Sequence, residues 1–243
     1  MTVPHGVYNN FDLSPDGTQL AIQNASGAQD QVYVYDSRRG TFTRLTLDGA
    51  NIYPVWSRDG REVFFASSRD GEGYRLYRKP VDGSAPASRL LTDEQEALME
   101  TDLRHPSAVT PDGKWLAYLT NRAGPYRIMV RPFPEVERRE WIVSGNDGFD
   151  PRWTPRGDAL LYRQGWGRIM RVPMGDGDEF TPGVVRLLLE IDFHDAAGSS
   201  FAVSPDGKRV PVNKPVEVSL QAKTPVTLVT GWAEEVSRVV GVE

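Results

Sequence analysis

The sequence predicts an all-β chain folded as a β-propeller of about five four-stranded blades, and three observations carry that prediction. A four-residue turn motif occurs five times, as Ser14-Pro15-Asp16-Gly17, Ser57-Arg58-Asp59-Gly60, Thr110-Pro111-Asp112-Gly113, Thr154-Pro155-Arg156-Gly157 and Ser204-Pro205-Asp206-Gly207. Each copy stands between two extended apolar stretches, which is a hairpin pattern. The turn glycines lie 43, 53, 44 and 50 residues apart, close to the span of a propeller blade.

The chemistry of the motif explains its recurrence. Proline presets φ for the first central position, Asp suits the second, and Gly takes a positive φ without a Cβ clash. The Ser or Thr hydroxyl can bond backbone N–H groups inside the turn. Counting from the glycine sets the register of the next strand. The third residue is Leu20, Val63, Leu116, Leu160 or Val210, and the fifth is Ile22, Phe65, Tyr118, Tyr162 or Val212. Both are apolar in every copy, so a slip by one residue would expose the whole face.

Taken in order, the blades span about 9–48, 51–92, 106–144, 149–190 and 199–232, all within one domain covering 1–243. Third strands are expected at QVYVYD, YRLYRKP, YRIMVRPF and GRIMRVPM, and fourth strands at FTRLTL, SRLLT, EWIVS and VRLLL. The 93–105 connection, DEQEALMETDLRH, is acidic and helix-prone, with Asp93 and Glu96 spaced as a capping box. It reads either as a binding insertion or as a solvated turn of helix between blades. The last blade lacks a fourth strand, and Pro211 suits an edge better than a centre. Either the ring closes weakly on five blades, or it stays open with its edge covered by a short C-terminal helical turn at 233–240. Truncation of a larger propeller is the other possibility.

Composition narrows the function. With 33 acidic against 28 basic residues the net charge is −5, which argues against a nucleic-acid partner, since that needs a clustered positive field. There is no cysteine, so thiol catalysis, thiolate metal sites and disulfides are excluded. The three histidines, His5, His105 and His194, have no metal-ligand spacing, and no cofactor motif is present. No G-x-S-x-G elbow occurs, so the chain is expected not to be an enzyme. No apolar run reaches membrane-spanning length, and no membrane contact by this segment is expected. Taken as complete, the chain is expected in the cytoplasm. As a fragment of a membrane kinase or of a periplasmic propeller, it belongs outside the cytoplasm.

The Ser-Pro-Asp-Gly turns, the Pro54-x-Trp56-Ser57-x-Asp59-Gly60 run and the pairs Leu45-Thr46 and Leu91-Thr92 resemble the WD-like "PD" repeat of TolB-type propellers. A closer resemblance is to the C-terminal propellers of bacterial transmembrane Ser/Thr protein kinases. It rests on Tyr35-Asp36-x-x-x-Gly40-x-x-x-Arg44-Leu45-Thr46, on Val130-Arg131-Pro132-Phe133-Pro134 and on Gly231-Trp232. The chain departs from those propellers by lacking one repeat near 93–105, and it carries no kinase motif. The resemblance implies a bacterial scaffold or sensory module.

Innermost propeller strands begin at the face used for binding, so residues four and five before each turn's Ser or Thr are candidates, together with charged inward positions. These are Asn10, Asp12, Tyr53, His105, Asp150 and Arg152. Arg131, Phe133, Trp141 and Trp166 are residue types enriched at protein interfaces. The function expected is non-catalytic binding of a protein or peptide. The alternatives are the regulatory propeller of a bacterial Ser/Thr kinase and the gating propeller of a prolyl oligopeptidase-type peptidase.

Overall fold

The computed structural model describes residues 7–71, 73–99, 108–110, 112–121, 124–165, 167–175, 177, 179–190, 201–204 and 206–210. Among them are four four-stranded antiparallel sheets, each a meander in chain order. Blade one holds β1 (Tyr8–Leu13), β2 (Gln19–Asn24), β3 (Gln31–Asp36) and β4 (Thr41–Arg44). Blade two holds β5 (Asn51–Trp56), β6 (Glu62–Ser67), β7 (Arg75–Pro80) and β8 (Ser88–Arg89), followed by helix α1 (Asp93–Met99). Blade three holds β9 (Ala108–Val109), β10 (Trp115–Thr120), β11 (Arg127–Pro132) and β12 (Trp141–Ile142). Blade four holds β13 (Gly148–Trp153), β14 (Ala159–Gln164), β15 (Arg168–Pro173) and β16 (Arg186–Glu190). The fold is a β-propeller with almost no helix. No helix among the described residues is long and apolar enough to cross a membrane.

The turns form as their residues dictate. In each of the five, the glycine N–H donates to the carbonyl of the Ser or Thr at 2.8 to 3.0 Å, and the glycine φ lies between 69° and 74°. The hydroxyl oxygen accepts the backbone N–H five residues on, as Gln19 N–H to Ser14 Oγ at 2.8 Å and Trp115 N–H to Thr110 Oγ1 at 2.9 Å. In the three turns that pair Ser with Asp, the carboxylate accepts the hydroxyl: Ser14 Oγ donates to Asp16 Oδ1 at 2.7 Å, Ser57 Oγ to Asp59 Oδ1 at 2.7 Å and Ser204 Oγ to Asp206 Oδ1 at 2.5 Å, whereas Thr110 Oγ1 donates to the Trp115 carbonyl at 3.3 Å. The fourth turn has Arg156 in place of the Asp. Thr154 Oγ1 instead donates to Asp158 Oδ1 at 2.5 Å, so a carboxylate two residues later closes the same turn.

The second strands of blades two to four are buried on both faces because each lies between two neighbours, and in blade one Tyr8, Phe11, Leu13 and Phe42 cover Leu20 and Ile22 on the side away from blade two. Leu20, Ala21 and Ile22 on β2, Leu116 to Leu119 on β10, and Ala159 to Tyr162 on β14 are all buried. One cluster joins blades one and two through Ala21, Val32, Val34 and Leu45 against Trp56, Val63, Phe65 and Tyr77. Another joins blades two and three through Leu76 and Leu91 against Leu116, Tyr118, Met129 and Val136. A third joins blades three and four, where Ala117, Ile128 and Val130 meet Trp153, Leu160 and Tyr162. The Leu-Thr pair at 45–46 also has a task. Leu45 enters the core, and Thr46 Oγ1 accepts the Val32 N–H at 2.9 Å.

A fifth repeat begins against blade four. Phe201 and Ala202 are buried, and Phe201 packs on Leu161 and Ile169. Its turn repeats the others, with Ser204 Oγ accepting the Arg209 N–H at 2.9 Å. The rest of that blade, Pro211 and the helical turn at 233–240 lie outside the described residues.

Helix α1 departs from expectation in its cap. The capping box is Thr92 with Gln95: Gln95 N–H donates to Thr92 Oγ1 at 3.3 Å, and Thr92 N–H to Gln95 Oε1 at 3.1 Å. Thr92 stands immediately before the first helical residue, which is the N-cap position, whereas Asp93 is already inside the helix. Glu96 is thereby released from capping and turns inward. It meets Arg75 Nε at 2.8 Å and an Arg89 guanidinium nitrogen at 2.8 Å. Arg131, expected on the surface, is buried as well. It donates to Tyr118 Oη at 3.0 Å, to the Val136 carbonyl at 2.6 Å and to the Leu98 carbonyl of α1 at 3.1 Å, and it pairs with Glu140. Four acceptors within its reach explain why a guanidinium is held inside. Phe133 and Trp141 are partly buried against neighbouring clusters, and Trp166 lies outside the described residues.

Candidate functional site

The inner strands β1, β5 and β13 share one irregularity. Each slips register against its partner strand, between Tyr8 and Phe11, between Ile52 and Val55, and between Phe149 and Arg152, one residue earlier in blade one than in the other two, so that the position four before the turn's Ser or Thr lies inside all three slips. These are β-bulges, which re-aim side chains and are common beside functional sites. In blades two and four the bulge holds a non-glycine residue at positive φ, Tyr53 at 56° and Asp150 at 50°. Such backbone costs on the order of 1–3 kcal/mol and persists where the surroundings enforce it. A proline follows both residues, Pro54 and Pro151.

Five of the six predicted residues are described, and the bulges gather them on the inner strands. Asn10 is buried and donates its side-chain N–H to Gln23 Oε1. The Tyr53 N–H donates to the same Gln23 oxygen at 3.1 Å, so Gln23 ties blade one to the blade-two bulge. Asp150 is buried and accepts from Arg163 Nε at 3.3 Å. Arg163 also donates to the Gly165 carbonyl at 2.7 Å and lies 4.8 Å over the Phe149 ring. His105 lies outside the described residues.

Asp12 and Arg152 occupy matching positions in blades one and four. The Asp12 carboxylate accepts the Trp56 N–H at 2.9 Å, and the Trp56 indole N–H reaches the Asp12 carbonyl at 3.1 Å. Protein surrounds that carboxyl although the residue keeps some accessible surface. Burial raises its pKa above the ordinary aspartate value, while the Arg152 guanidinium and the N–H groups of Trp56 and Leu13 oppose the rise. Arg152 is itself buried. Opposite charges from two blades thus act on each other, and both Tyr53 and Asp12 keep some accessible surface.

Gln23 and Arg163 were not singled out from sequence. Both are the sixth residue after a turn glycine, where blades two and three have Ala66 and Leu119. A polar residue there matches a polar residue at the bulge, and that pairing was the available signal. Among the described residues no group of three or more acidic, His or Cys side chains could hold a metal. Two open concavities, about 280 Å3 beside Tyr33 and Arg44 and about 430 Å3 beside Asp59 and Asp82, lie away from these strands.

Comparison with known proteins gives a consistent result. The profile of the TolB beta propeller domain (PD40) matches residues 4–172. The Tol-Pal system protein TolB of Francisella tularensis is 26% identical over 160 residues, 65% of this chain and 35% of the relative. The chain therefore matches about a third of the length of that curated relative. An uncharacterised peptidase of Bacillus subtilis, YuxL, is 24% identical over 202 residues, 80% of this chain and 27% of the relative. A solved Agrobacterium tumefaciens structure assigned to TolB superposes with a TM-score of 0.60 at 21% identity, covering 88% of this chain and 78% of that one. At that identity the superposition speaks for the fold alone.

Proposed function

Since the chain belongs to the TolB β-propeller family, we propose that it is a non-catalytic scaffold that binds a protein or peptide at the bulged end of its inner strands. The observation that carries this reading is a bulge on the inner strand of three blades that takes in the position four before the turn in each, with non-glycine residues held at positive φ there in two of them. Tyr53 is the contact residue, because it keeps some accessible surface and Tyr is a frequent interface anchor. Asp12 and Arg152 set the local charge. Asn10 and Asp150 shape the bulges through Gln23 and Arg163. His105 belongs to the same ring of positions by sequence register. A protein partner accords with the name of the Francisella relative, a component of the Tol-Pal system.

The test is Tyr53→Gly. Glycine suits a φ of 56° better than tyrosine, so the melting temperature is expected to hold or rise while affinity for a partner captured by the intact chain falls about tenfold. Unchanged affinity with unchanged stability removes Tyr53 and the bulged end from the binding surface.

The likeness to the Bacillus subtilis peptidase favours a second reading, in which the propeller serves a hydrolase borne on the same polypeptide. Immunoblotting of fractionated cells separates the two. A band near 27.1 kDa favours the scaffold, and a much larger product with peptidase activity favours the second.

A further inference from the structure

The four outermost strands differ in how they end their sheets. An unpaired strand edge invites another chain, and proteins blunt such edges by keeping them short or charged. β8 and β12 have two residues each, and β4 is Thr-Phe-Thr-Arg. β16 is Arg186-Leu187-Leu188-Leu189-Glu190, preceded by Val184 and Val185. Val184 is 75% exposed and Leu187 51%, and Val185 and Leu188 are exposed as well. β16 is also the last strand of its sheet among the described residues.

Its pairing inside the sheet is imperfect. A register shift against β15 leaves Leu188 without an opposing residue. Bulges on edge strands usually discourage pairing, but here the extra residue is leucine rather than a charge. Arg186 stands directly opposite Arg171, a like-charge cross-strand pair, which is unfavourable. Arg171 has Asp158 at 3.7 Å.

We propose that β16 is the contact edge of a symmetric dimer of this chain, pairing antiparallel with β16 of a second copy about a two-fold axis at Leu188. The order of residues favours a second copy as the occupant. In that register Arg186 of one copy lies opposite Glu190 of the other, and the reverse holds at the far end, so both charges are matched. Leu187 faces Leu189, and Leu188 faces Leu188. A two-fold contact requires this self-complementarity, in which residue i meets j and j meets i. The contact is small, so association is weak and depends on concentration.

Sedimentation velocity of the full chain across the micromolar to submillimolar range reads the prediction directly. The mass is expected to rise from 27.1 kDa towards twice that value. Arg186→Glu and Glu190→Arg each place two like-charged pairs in the dimer and are expected to weaken it about tenfold. Mixing the two variants places opposite charges at both ends again, so the mixture is expected to associate as the parent does. Leu188→Lys, at an exposed position, is expected to give a folded monomer by circular dichroism. A parent that stays monomeric throughout, an oligomer indifferent to all three substitutions, or a mixture no tighter than the single variants each overturns the proposal.

Discussion

The seam between blades one and two and the seam between blades two and three are built differently. In the first, strands meet strands. Asp12 takes the Trp56 N–H, Gln23 takes the Tyr53 N–H, and an apolar cluster fills the space behind them. In the second, a helix stands between the blades. Glu96 binds the blade-two arginines Arg75 and Arg89, Gln95 Nε2 reaches the Pro134 carbonyl at 3.0 Å, and Arg131 of blade three reaches the Leu98 carbonyl. The turn glycines flanking the second seam are 53 residues apart, against 43 for the first. The extra residues have become a polar strut. A repeat fold therefore tolerates an insertion at a blade junction when the inserted segment brings charges that both neighbours can satisfy.

Breaking each seam tests the difference, and the largest effect is expected in the second. Arg131→Met leaves Tyr118 Oη and the carbonyls of Val136 and Leu98 without this donor, and Glu140 with the Tyr118 hydroxyl in place of a cation. Removing one partner of a buried charge network costs about 3 kcal/mol or more. Urea unfolding measures the loss, and proteolysis is expected to cut first near α1. A loss below about 1 kcal/mol would show that the strut is dispensable.

In the first seam the informative variable is pH. The fold raises the Asp12 pKa, so it favours the protonated form, and the stability contributed is present in acid and declines as pH rises through and above the usual aspartate range. Asp12→Asn is therefore expected to gain on the parent as pH rises above the usual aspartate range. Asp16 behaves in the opposite sense. Hydrogen bonds from the Ser14 and Thr18 side chains and from the Thr18 N–H lower its pKa to about 2. Its contribution is present above the ordinary value of 3.8 and disappears as pH falls towards 2. Asp16→Asn is expected to flatten only the acid limb. Melting temperatures across that range read both effects, and parallel curves for the two variants would contradict both assignments.

The smallest effect is a reference outside either seam. Asp158→Ala removes one acceptor of the Thr154 hydroxyl, which keeps the Ala159 carbonyl at 3.2 Å, and is expected to cost no more than about 1 kcal/mol. Adding Arg156→Asp supplies an acceptor at the position that Asp16, Asp59 and Asp206 use in three of the other turns and is expected to recover most of that loss.

Much of this architecture was legible in the sequence because turn chemistry is local. Five copies of one tetrapeptide fixed the strands on either side, and buried Leu20, Val63, Leu116 and Leu160 follow directly from their spacing to the turn glycine. The cap of α1 was misplaced because two overlapping four-residue windows fit the box, and the choice between them depends on the tertiary pull of Arg75 and Arg89 on Glu96. Arg131 reads as a surface cation until Glu140 and Tyr118 are folded against it. The candidate site was legible as a set of register positions. Its strain was not, because tyrosine and aspartate give no local warning of positive φ, and only Pro54 and Pro151 marked the two positions.

The turns also separate what is common to the repeat from what can be exchanged. The Thr154 hydroxyl has both the Asp158 carboxylate and the Ala159 carbonyl within reach, and the Thr110 hydroxyl uses the corresponding Trp115 carbonyl while Asp112 accepts the Lys114 N–H. What all five copies keep is the hydroxyl oxygen as acceptor of the backbone N–H five residues on. The motif is thus a fixed acceptor with an interchangeable outlet for its proton.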